Sequence, residues 1–132
     1  MEIIFRTDVI PATQQVIDLY DLAGLPRPTG DFDRMRQMLE HADLIVTAWY
    51  EEKLVGLSRT ITDWVWSAYL ADLAVDPGYK KSGIGKKLVE FTRKELGDRT
   101  MLLLLSVPTA MEYYPKIGFE KENRAFSINR AY

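Results

Sequence analysis

The sequence from residue 73 to residue 87 reads LAVDPGYKKSGIGKK and is the most informative part of the chain. Its apolar start, Leu73-Ala74-Val75, is typical of the end of a buried β-strand. The Asp-Pro-Gly sequence that follows predicts a turn. Beyond Gly83 the apolar residues recur at helical spacing. The stretch therefore runs from a strand into a helix through a turn that contains glycine.

The turn before this helix can hold an anion. The first N–H groups of a helix have no backbone partner, and the helix dipole places partial positive charge at the same end. Gly83 and Gly85 would let the backbone approach a phosphate with no Cβ in the way. Lysines at positions 80, 81, 86 and 87 add positive charge. The alternative is a plain left-handed turn before a helix with a solvated, lysine-rich face.

Two common nucleotide-binding motifs do not fit this turn. A Walker A loop needs a glycine five residues before its Gly-Lys pair and Ser or Thr after it, whereas this chain has Lys80 and Lys87 there. A Rossmann fingerprint needs a third glycine where this chain has Leu88. A regulator that binds ATP is disfavoured, because the Ser or Thr that would bind Mg²⁺ is missing.

The rest of the chain alternates between strand and helix patterns. Strands are predicted at residues 2–6, 44–50, 54–61 and 69–75, and helices begin at Pro11 and near Asp31. After the turn we predict a helix at 83–96, a strand covered on both faces at 101–107, a short helix at 108–116 and a last strand at 125–130. No repeat or composition break divides the chain, so residues 1–132 are expected to form a single α/β domain with helices on both sides of one sheet.

The turn and its surroundings resemble the GNAT superfamily of N-acetyltransferases. In that family a strand ending in L-A-V-x-P leads to [QR]-x-x-G-x-[GA], and a later helix ends in Y-x-K-x-G-F. This chain has the first two motifs at residues 73–77 and 80–85, and Tyr114-Pro115-Lys116-Ile117-Gly118-Phe119 further on. Each motif alone is weak, but the three in this order are specific, and the resemblance covers residues 44–119. The chain departs from the family pattern at Lys80, where the family has Gln or Arg, and at Val107-Pro108, where the family often has Asn.

The resemblance implies an acetyl-CoA-dependent N-acetyltransferase that uses no metal. It implies a twisted, mostly antiparallel sheet with splayed central strands and helices on both faces. Backbone amides of the turn would bind the pyrophosphate of coenzyme A, and the strand edge would bind the pantetheine arm as an added strand. The cofactor-binding residues implied in this way are Leu73, Ala74, Val75, Lys80, Lys81, Ser82, Gly83, Ile84, Gly85 and Lys86.

Two residues are candidates for the chemistry. The thiolate that leaves during acetyl transfer needs a proton, and Tyr114 occupies the family's general-acid position, with Tyr113 as an alternative donor. A packing role for the Tyr114 ring is the other interpretation. Asp72 lies in an otherwise apolar strand, where a raised pKa would suit a general base. A salt bridge to Arg59 is at least as plausible for Asp72, and water relaying protons is a further option. Because the chain has no cysteine, the transfer is expected to be direct.

Aromatic residues near the middle strands are candidates for the acceptor site. Trp49, Trp64, Trp66 and Tyr69 lie on or between these strands, and Asp63 is among them. An aromatic pocket with one acid would bind a small primary amine through cation–π contact. A peptide amine is the other acceptor. Alternatively, these rings fill the core or the face of a homodimer.

The composition excludes several other classes of protein. The net charge is −2, which argues against nucleic acid and anionic membrane as partners. The absence of cysteine excludes disulfides and thiolate metal sites, and the one histidine, His41, lies at the end of a predicted helix. The first residues show no signal-peptide pattern, so a cytoplasmic location is expected.

A non-catalytic acyl-CoA-binding sensor or interaction module is the alternative function, and Tyr114 favours the enzyme because a pure binder needs no proton donor.

Overall fold

The computed structural model describes residues 2–132, apart from the side chain of Lys81. The strands are β1 (Ile4–Arg6), β2 (Leu44–Tyr50), β3 (Lys53–Thr62), β4 (Ser67–Val75) and β5 (Met101–Leu104). The helices are α1 (Thr13–Ala23), α2 (Phe32–Glu40), α3 (Ile84–Leu96) and α4 (Tyr113–Lys116), and short 3₁₀ helices at Pro77–Ser82 and Pro108–Ala110 precede α3 and α4. Among these described residues, no helix has the length and apolar composition needed to cross a membrane.

The strands form one sheet in the order β1-β2-β3-β4-β5. The first three pairs are antiparallel, and only β4 and β5 are parallel. Short turns join β2 to β3 and β3 to β4, and such turns suit antiparallel neighbours. The parallel partner β5 needs a long crossover, which α3 supplies. The predicted mostly antiparallel sheet is confirmed.

Helices pack on both faces of this sheet, as predicted. The face covered by α1 and α2 holds the apolar cluster Val16, Ile17, Leu19, Tyr20, Met35, Leu39, Ile45, Leu54, Leu57 and Ala74. The face covered by α3 holds the cluster Leu44, Val46, Ala48, Val55, Ala68, Ile84, Leu88 and Leu96. A Cβ at Gly56 of β3 would lie 2.8 Å from Ile84 Cγ2, so α3 packs this closely only because that position is glycine.

The pairing of β4 with β5 stops halfway along β4. Residues 67–70 pair with residues 101–104, and in the described part of the chain no strand pairs with residues 71–75 on that side. A β-bulge lies at the same point, because Arg59 of β3 pairs with Asp72 while Thr60 pairs with Leu70, which leaves Ala71 as the extra residue. The predicted splay of the central strands is therefore present, and it leaves a free strand edge.

The C-terminal third of the chain differs from the sequence-based expectation. The predicted strand at 125–130 is not formed, and residues 125–132 are exposed without regular structure. An alternating pattern can favour a strand, but residues 125–130 make no backbone hydrogen bond to another part of the described chain. β5 ends at Leu104 rather than at residue 107 and is only partly covered, since Met101 is 57% exposed. The predicted helix at 108–116 is divided into a 3₁₀ turn and α4.

Candidate active site

The free edge of β4 opens onto a cavity of about 340 Å³. Four parts of the chain form its walls: β4, the loop after α1, the start of α3, and the segment from β5 to α4. The lining residues are Ala23, Gly24, Leu25, Arg27, Leu70, Ala71, Leu73, Ala74, Val75, Lys80, Gly85, Leu104, Leu105, Val107, Thr109, Ala110, Tyr113 and Tyr114.

The turn between β4 and α3 is held in place by Asp76. Its Oδ1 accepts a hydrogen bond from the Gly78 backbone N–H at 2.9 Å, and its own N–H donates to the Val55 carbonyl oxygen at 2.8 Å. Gly83 then adopts a left-handed conformation with φ of 69°, which favours glycine, and α3 begins at the next residue. The first hydrogen bond of α3 joins the Lys87 N–H to the Gly83 carbonyl. The N–H groups of residues 84–86 have no partner within the helix, as a bound phosphate would require.

The structure brings together half of the residues implied for the cofactor. Five of them line the cavity: Leu73, Ala74, Val75, Lys80 and Gly85. Ser82, Gly83 and Lys86 lie on the turn or on the first turn of α3 but do not line the cavity, and Ile84 points into the core. The side chain of Lys81 lies outside the described part of the chain.

Gly85 provides space for a tyrosine. A Cβ at this position would lie 2.4 Å from the Tyr113 hydroxyl oxygen and 3.7 Å from Val75 Cγ2. The Tyr113 hydroxyl can therefore reach the first turn of α3 only because residue 85 has no side chain. This contact joins α4 to the start of α3, and both residues line the cavity.

Tyr114 lines the cavity beside Tyr113 but has different surroundings. Its ring packs edge-to-face against Phe119, with ring centroids 5.6 Å apart. Burial raises the pKa of Tyr114, and the charge of Arg27 counteracts this in part. Burial also raises the pKa of Tyr113. Both phenols thus keep their protons near neutral pH and can act as donors.

Asp72 does not have the environment that the sequence suggested for a base. Its side chain is fully buried, Oδ1 accepts from Arg27 Nε at 2.5 Å, and Oδ2 accepts from Arg59 Nε at 2.6 Å and from the Tyr20 hydroxyl at 2.7 Å. Burial alone would raise the pKa of Asp72, but the hydrogen bonds and charges of Arg59 and Arg27 outweigh it and the pKa is lowered. The expected raised pKa is wrong, and the alternative salt bridge to Arg59 is confirmed.

Among the lining residues that the sequence analysis did not name, Arg27 carries a charge. It lies between Pro26 and Pro28 in the loop after α1, and its Nη2 donates to the carbonyl oxygen of Ala71 at 2.8 Å. Ala71 is the extra residue of the β-bulge, so Arg27 binds a carbonyl oxygen that the irregular ladder exposes. The partners of Arg27 lie more than forty residues away in sequence, so no local pattern could predict these bonds. The only local indication was the position of this one cation between two prolines.

The residues predicted for an aromatic acceptor pocket around Asp63 lie outside the cavity beside β4. Asp63, Trp64, Trp66 and Tyr69 do not line the cavity, and Trp66 is 75% exposed. Asp63 Oδ1 accepts from the backbone N–H groups of residues 65, 66 and 67, which lowers the pKa of Asp63. Its role is to close the β3–β4 turn, at the end of β4 opposite the free edge. Trp49, by contrast, packs against the core between the sheet and helices α1 and α2.

Residues 13–119 match the family model described as "Acetyltransferase (GNAT) family". The chain belongs to the GNAT family. Its cavity, turn and half-paired β4 therefore lie within the part of this GNAT protein that the family model covers.

Two solved structures with similar chains are named as acetyltransferases. A probable acetyltransferase of unknown function from methicillin-resistant Staphylococcus aureus has the same fold, with a TM-score of 0.86, 21% identity, and coverage of 99% of this chain and 100% of its own. A GNAT family acetyltransferase from Streptococcus pneumoniae has a TM-score of 0.79 and 25% identity, with coverage of 98% and 99%.

A plant relative extends the comparison to a longer protein. The "Histone acetyltransferase TAP1" of Glycine max is 32% identical over 74 residues, which are 54% of this chain and 32% of the soybean protein. This GNAT chain thus matches about a third of the length of that relative.

Proposed function

We propose that this GNAT protein is an acetyl-CoA-dependent N-acetyltransferase that transfers the acetyl group directly to a primary amine. The observation that carries the proposal is the free edge of β4. Residues 71–75 lack a neighbour on the β5 side within the described chain, and they border a cavity that extends to the start of α3 and to Tyr114. An acyl donor with amide groups along a flexible arm fits such an edge.

The residues around the cavity fit coenzyme A. The backbone of residues 73–75 would pair with the amides of the pantetheine arm as an added strand does. The N–H groups at the start of α3 that have no partner within the helix, together with Lys80, would hold the pyrophosphate. When bound, acetyl-CoA supplies the activated acetyl group. The volume of about 340 Å³ lies within the range of roughly 300–1,000 Å³ typical of ligand sites.

Tyr114 is the better of the two candidate proton donors. The charge of Arg27 acts on Tyr114, and Arg27 is bonded to Ala71 at the bulge. The Tyr113 hydroxyl instead lies against Gly85 at the start of α3, where we place the pyrophosphate. Tyr114 lines the cavity together with Leu70 and Leu104, the last pair that joins β4 to β5, and its proton would go to the departing thiolate.

No side chain acts as the base in this proposal. Asp72 is bonded to two arginines and does not line the cavity. The acceptor amine would enter neutral or lose its proton to water. The walls near Leu25, Leu104 and Leu105 are apolar and favour an amine with an apolar body. A lysine-containing peptide is the second candidate, favoured by the name of the soybean relative.

The test measures binding and turnover separately. We expect acetyl-CoA and CoA, but not ATP, to stabilise the protein, by about 2.7 kcal/mol at a hundred times the dissociation constant. A panel of arylalkyl amines, diamines and lysine peptides would then be screened for release of the CoA thiol. Equal stabilisation by ATP would contradict the coenzyme A site. Binding of acetyl-CoA with no thiol release from any amine would favour the non-catalytic sensor.

A further inference from the structure

The cavity beside β4 is lined by cations but by no acid. Arg27 and Lys80 are its charged lining residues, and no aspartate or glutamate is among the lining residues in the described part of the chain. Arg27 donates to the carbonyl oxygen of Ala71, where the free edge of β4 begins, and Lys80 belongs to the turn after the strand ends at Val75. A strand extends roughly 13 Å over four residues. The cavity therefore has one cation at the start of the free edge and another beyond its end.

The buried cluster around Asp72 has an excess of positive charge. Asp72 Oδ1 accepts from Arg27 Nε at 2.5 Å, and Asp72 Oδ2 accepts from Arg59 Nε at 2.6 Å. In the described residues, neither arginine has a second ion-pair partner. Tyr20 also binds Asp72 but stays neutral, because burial and the charge of Asp72 raise the pKa of Tyr20 well above its usual range. One carboxylate thus faces two guanidinium groups, and the remaining positive charge favours an anionic partner.

The Arg27 guanidinium has N–H groups that its protein partners do not use. Its Nε binds Asp72, Nη1 donates to the Pro26 carbonyl oxygen at 2.8 Å, and Nη2 donates to the Ala71 carbonyl oxygen at 2.8 Å. A guanidinium has five N–H groups, so one on Nη1 and one on Nη2 are left without a partner in the described chain. Arg27 lines the cavity, and 22% of its side chain is exposed. Such a group matches the two oxygens of a carboxylate.

We propose that the acceptor is an α-amino acid with an apolar side chain, and that Arg27 binds its carboxylate. This inference rests on the proposed N-acetyltransferase function and names the acceptor. The amine and the carboxylate of an α-amino acid share one carbon, so a carboxylate on Arg27 would place the amine near Ala71. The walls formed by Leu25, Leu104 and Leu105 would contact the apolar side chain. A diamine is disfavoured, because no acid lines the cavity to pair with its second ammonium group.

The chemical step is the one already proposed for this site. The amine nitrogen bonds to the acetyl carbon, the C–S bond breaks, and the departing thiolate takes the proton of Tyr114. The proton that the nitrogen loses returns through water to the Tyr114 phenolate. The products are the N-acetyl amino acid and CoA. Arg27 transfers no proton in this step, so its role is to select and hold the acceptor.

The test compares acceptors that differ only at the carboxylate. We would measure kcat/KM of the full chain with acetyl-CoA for leucine, phenylalanine and tryptophan, for the α-amide of each, and for the matching amine that lacks the carboxyl group. We expect the wild type to prefer at least one of these acids over its amide and its amine by at least about tenfold, as the loss of a charge-assisted hydrogen bond predicts.

Two variants show whether Arg27 causes this preference. Arg27→Gln and Arg59→Gln each remove one guanidinium partner of Asp72, but only Arg27 lines the cavity. We expect Arg27→Gln to abolish the preference for the acid and Arg59→Gln to retain it, although both lower the stability of the cluster. The preference is a ratio of two acceptors measured on one protein, so a smaller folded fraction cancels from it.

The outcomes separate this inference from the proposed function. Turnover of amines, amides or lysine peptides with no preference for a free α-carboxylate would overturn the inference and leave the N-acetyltransferase intact. A preference that survives Arg27→Gln, or that both variants lose equally, would also overturn it, because the carboxylate would then bind elsewhere. Release of no CoA thiol with any acceptor would overturn the proposed function together with this inference. If neither variant folds, the comparison of acceptors on the wild type decides.

Discussion

Tyr113 and Tyr114 place their phenol hydroxyls at different points of the cavity beside β4. The Tyr113 hydroxyl lies against the first turn of α3, and the Tyr114 ring packs between Tyr113 and Phe119. Both hold their protons, because burial raises the pKa of each. Their chemistry alone does not distinguish them, so their positions decide which one can act as the acid.

We expect Tyr114→Phe to lower kcat by about a hundredfold or more, which is the usual value of general acid catalysis. The affinity for acetyl-CoA should stay the same, and the free energy of unfolding should change by about 1 kcal/mol, since only a hydroxyl is lost. Steady-state kinetics and calorimetric titration would measure both. Tyr113→Phe is the control and should keep its turnover. If only Tyr113→Phe lowers kcat, Tyr113 rather than Tyr114 is the general acid.

The buried carboxylate of Asp72 makes a different contribution, to stability. The pKa of Asp72 is lowered in the folded chain, so the fold favours its charged form. Its stabilisation is complete above the unfolded pKa of about 3.9 and is lost as the pH falls through the lower folded pKa. Removing this charge leaves Arg27 and Arg59 without their common partner.

Asp72→Asn should therefore lower the free energy of unfolding by about 3–5 kcal/mol at pH 7. The deficit should shrink as the pH falls from about 4 towards about 3, because Asp72 of the unfolded wild type then becomes protonated, and it should vanish once the pH falls below the lowered pKa of the folded state. Urea titrations at both pH values would show this, and the difference between the two proteins removes the effect of all other carboxylates. A constant deficit would contradict the role of the charge. If Asp72→Asn folds but has a lower kcat that is restored by raising the pH, the result would instead support Asp72 as a general base.

At the level of elements, the start of α3 is the part that we assign to the phosphates. Gly83 has φ of 69°, and no atom lies within 4 Å of the position that a Cβ would occupy. A side chain placed there would be strained by the backbone but not by a clash. Asn and Asp tolerate this left-handed conformation better than other residues, and they have nearly the same shape.

Gly83→Asp and Gly83→Asn therefore form a matched pair that differs in charge. We expect the aspartate variant to bind acetyl-CoA at least about tenfold more weakly than the asparagine variant, because its charge opposes the phosphates and the helix dipole that favours them. Calorimetric titration at low and high salt would measure the difference, which should narrow as salt rises. Equal affinities at low salt would place the pyrophosphate elsewhere.

The contact between α4 and α3 can be tested by a double-mutant cycle. Gly85→Ala places a Cβ 2.4 Å from the Tyr113 oxygen, so the tyrosine must move. We expect acetyl-CoA affinity to fall about tenfold in Gly85→Ala and to recover largely in Gly85→Ala/Tyr113→Phe, which leaves a 3.4 Å contact with Cζ. Additive effects of the two substitutions would mean that the two residues are not coupled in solution.

For the whole molecule, local signals predicted most of the fold. The strand, the turn and the helix predicted around Gly83 are confirmed, because each of these depends on neighbours in sequence. The cavity residues that the sequence predicted belong to that stretch or, like Tyr113 and Tyr114, lie at the start of the later helix. The bond from Arg27 to Asp72 joins positions 45 residues apart, and no local pattern encodes it. The strand predicted at 125–130 is not formed, because alternation in sequence does not by itself bring a segment beside the edge of a sheet.

The half-length pairing of β4 with β5 also has a consequence for how the chain folds. β2, β3 and β4 are joined by tight turns and can meet early, whereas β5 must wait for the crossover through α3 to close. Replacing Val46 in β2 by Ala should therefore slow refolding, whereas replacing Leu102 in β5 should mainly speed unfolding. Stopped-flow refolding and unfolding in urea would separate the two effects. The edge on which we place the acyl donor would then be assembled in the last step of folding, and the binding site would be the first part of the molecule to open.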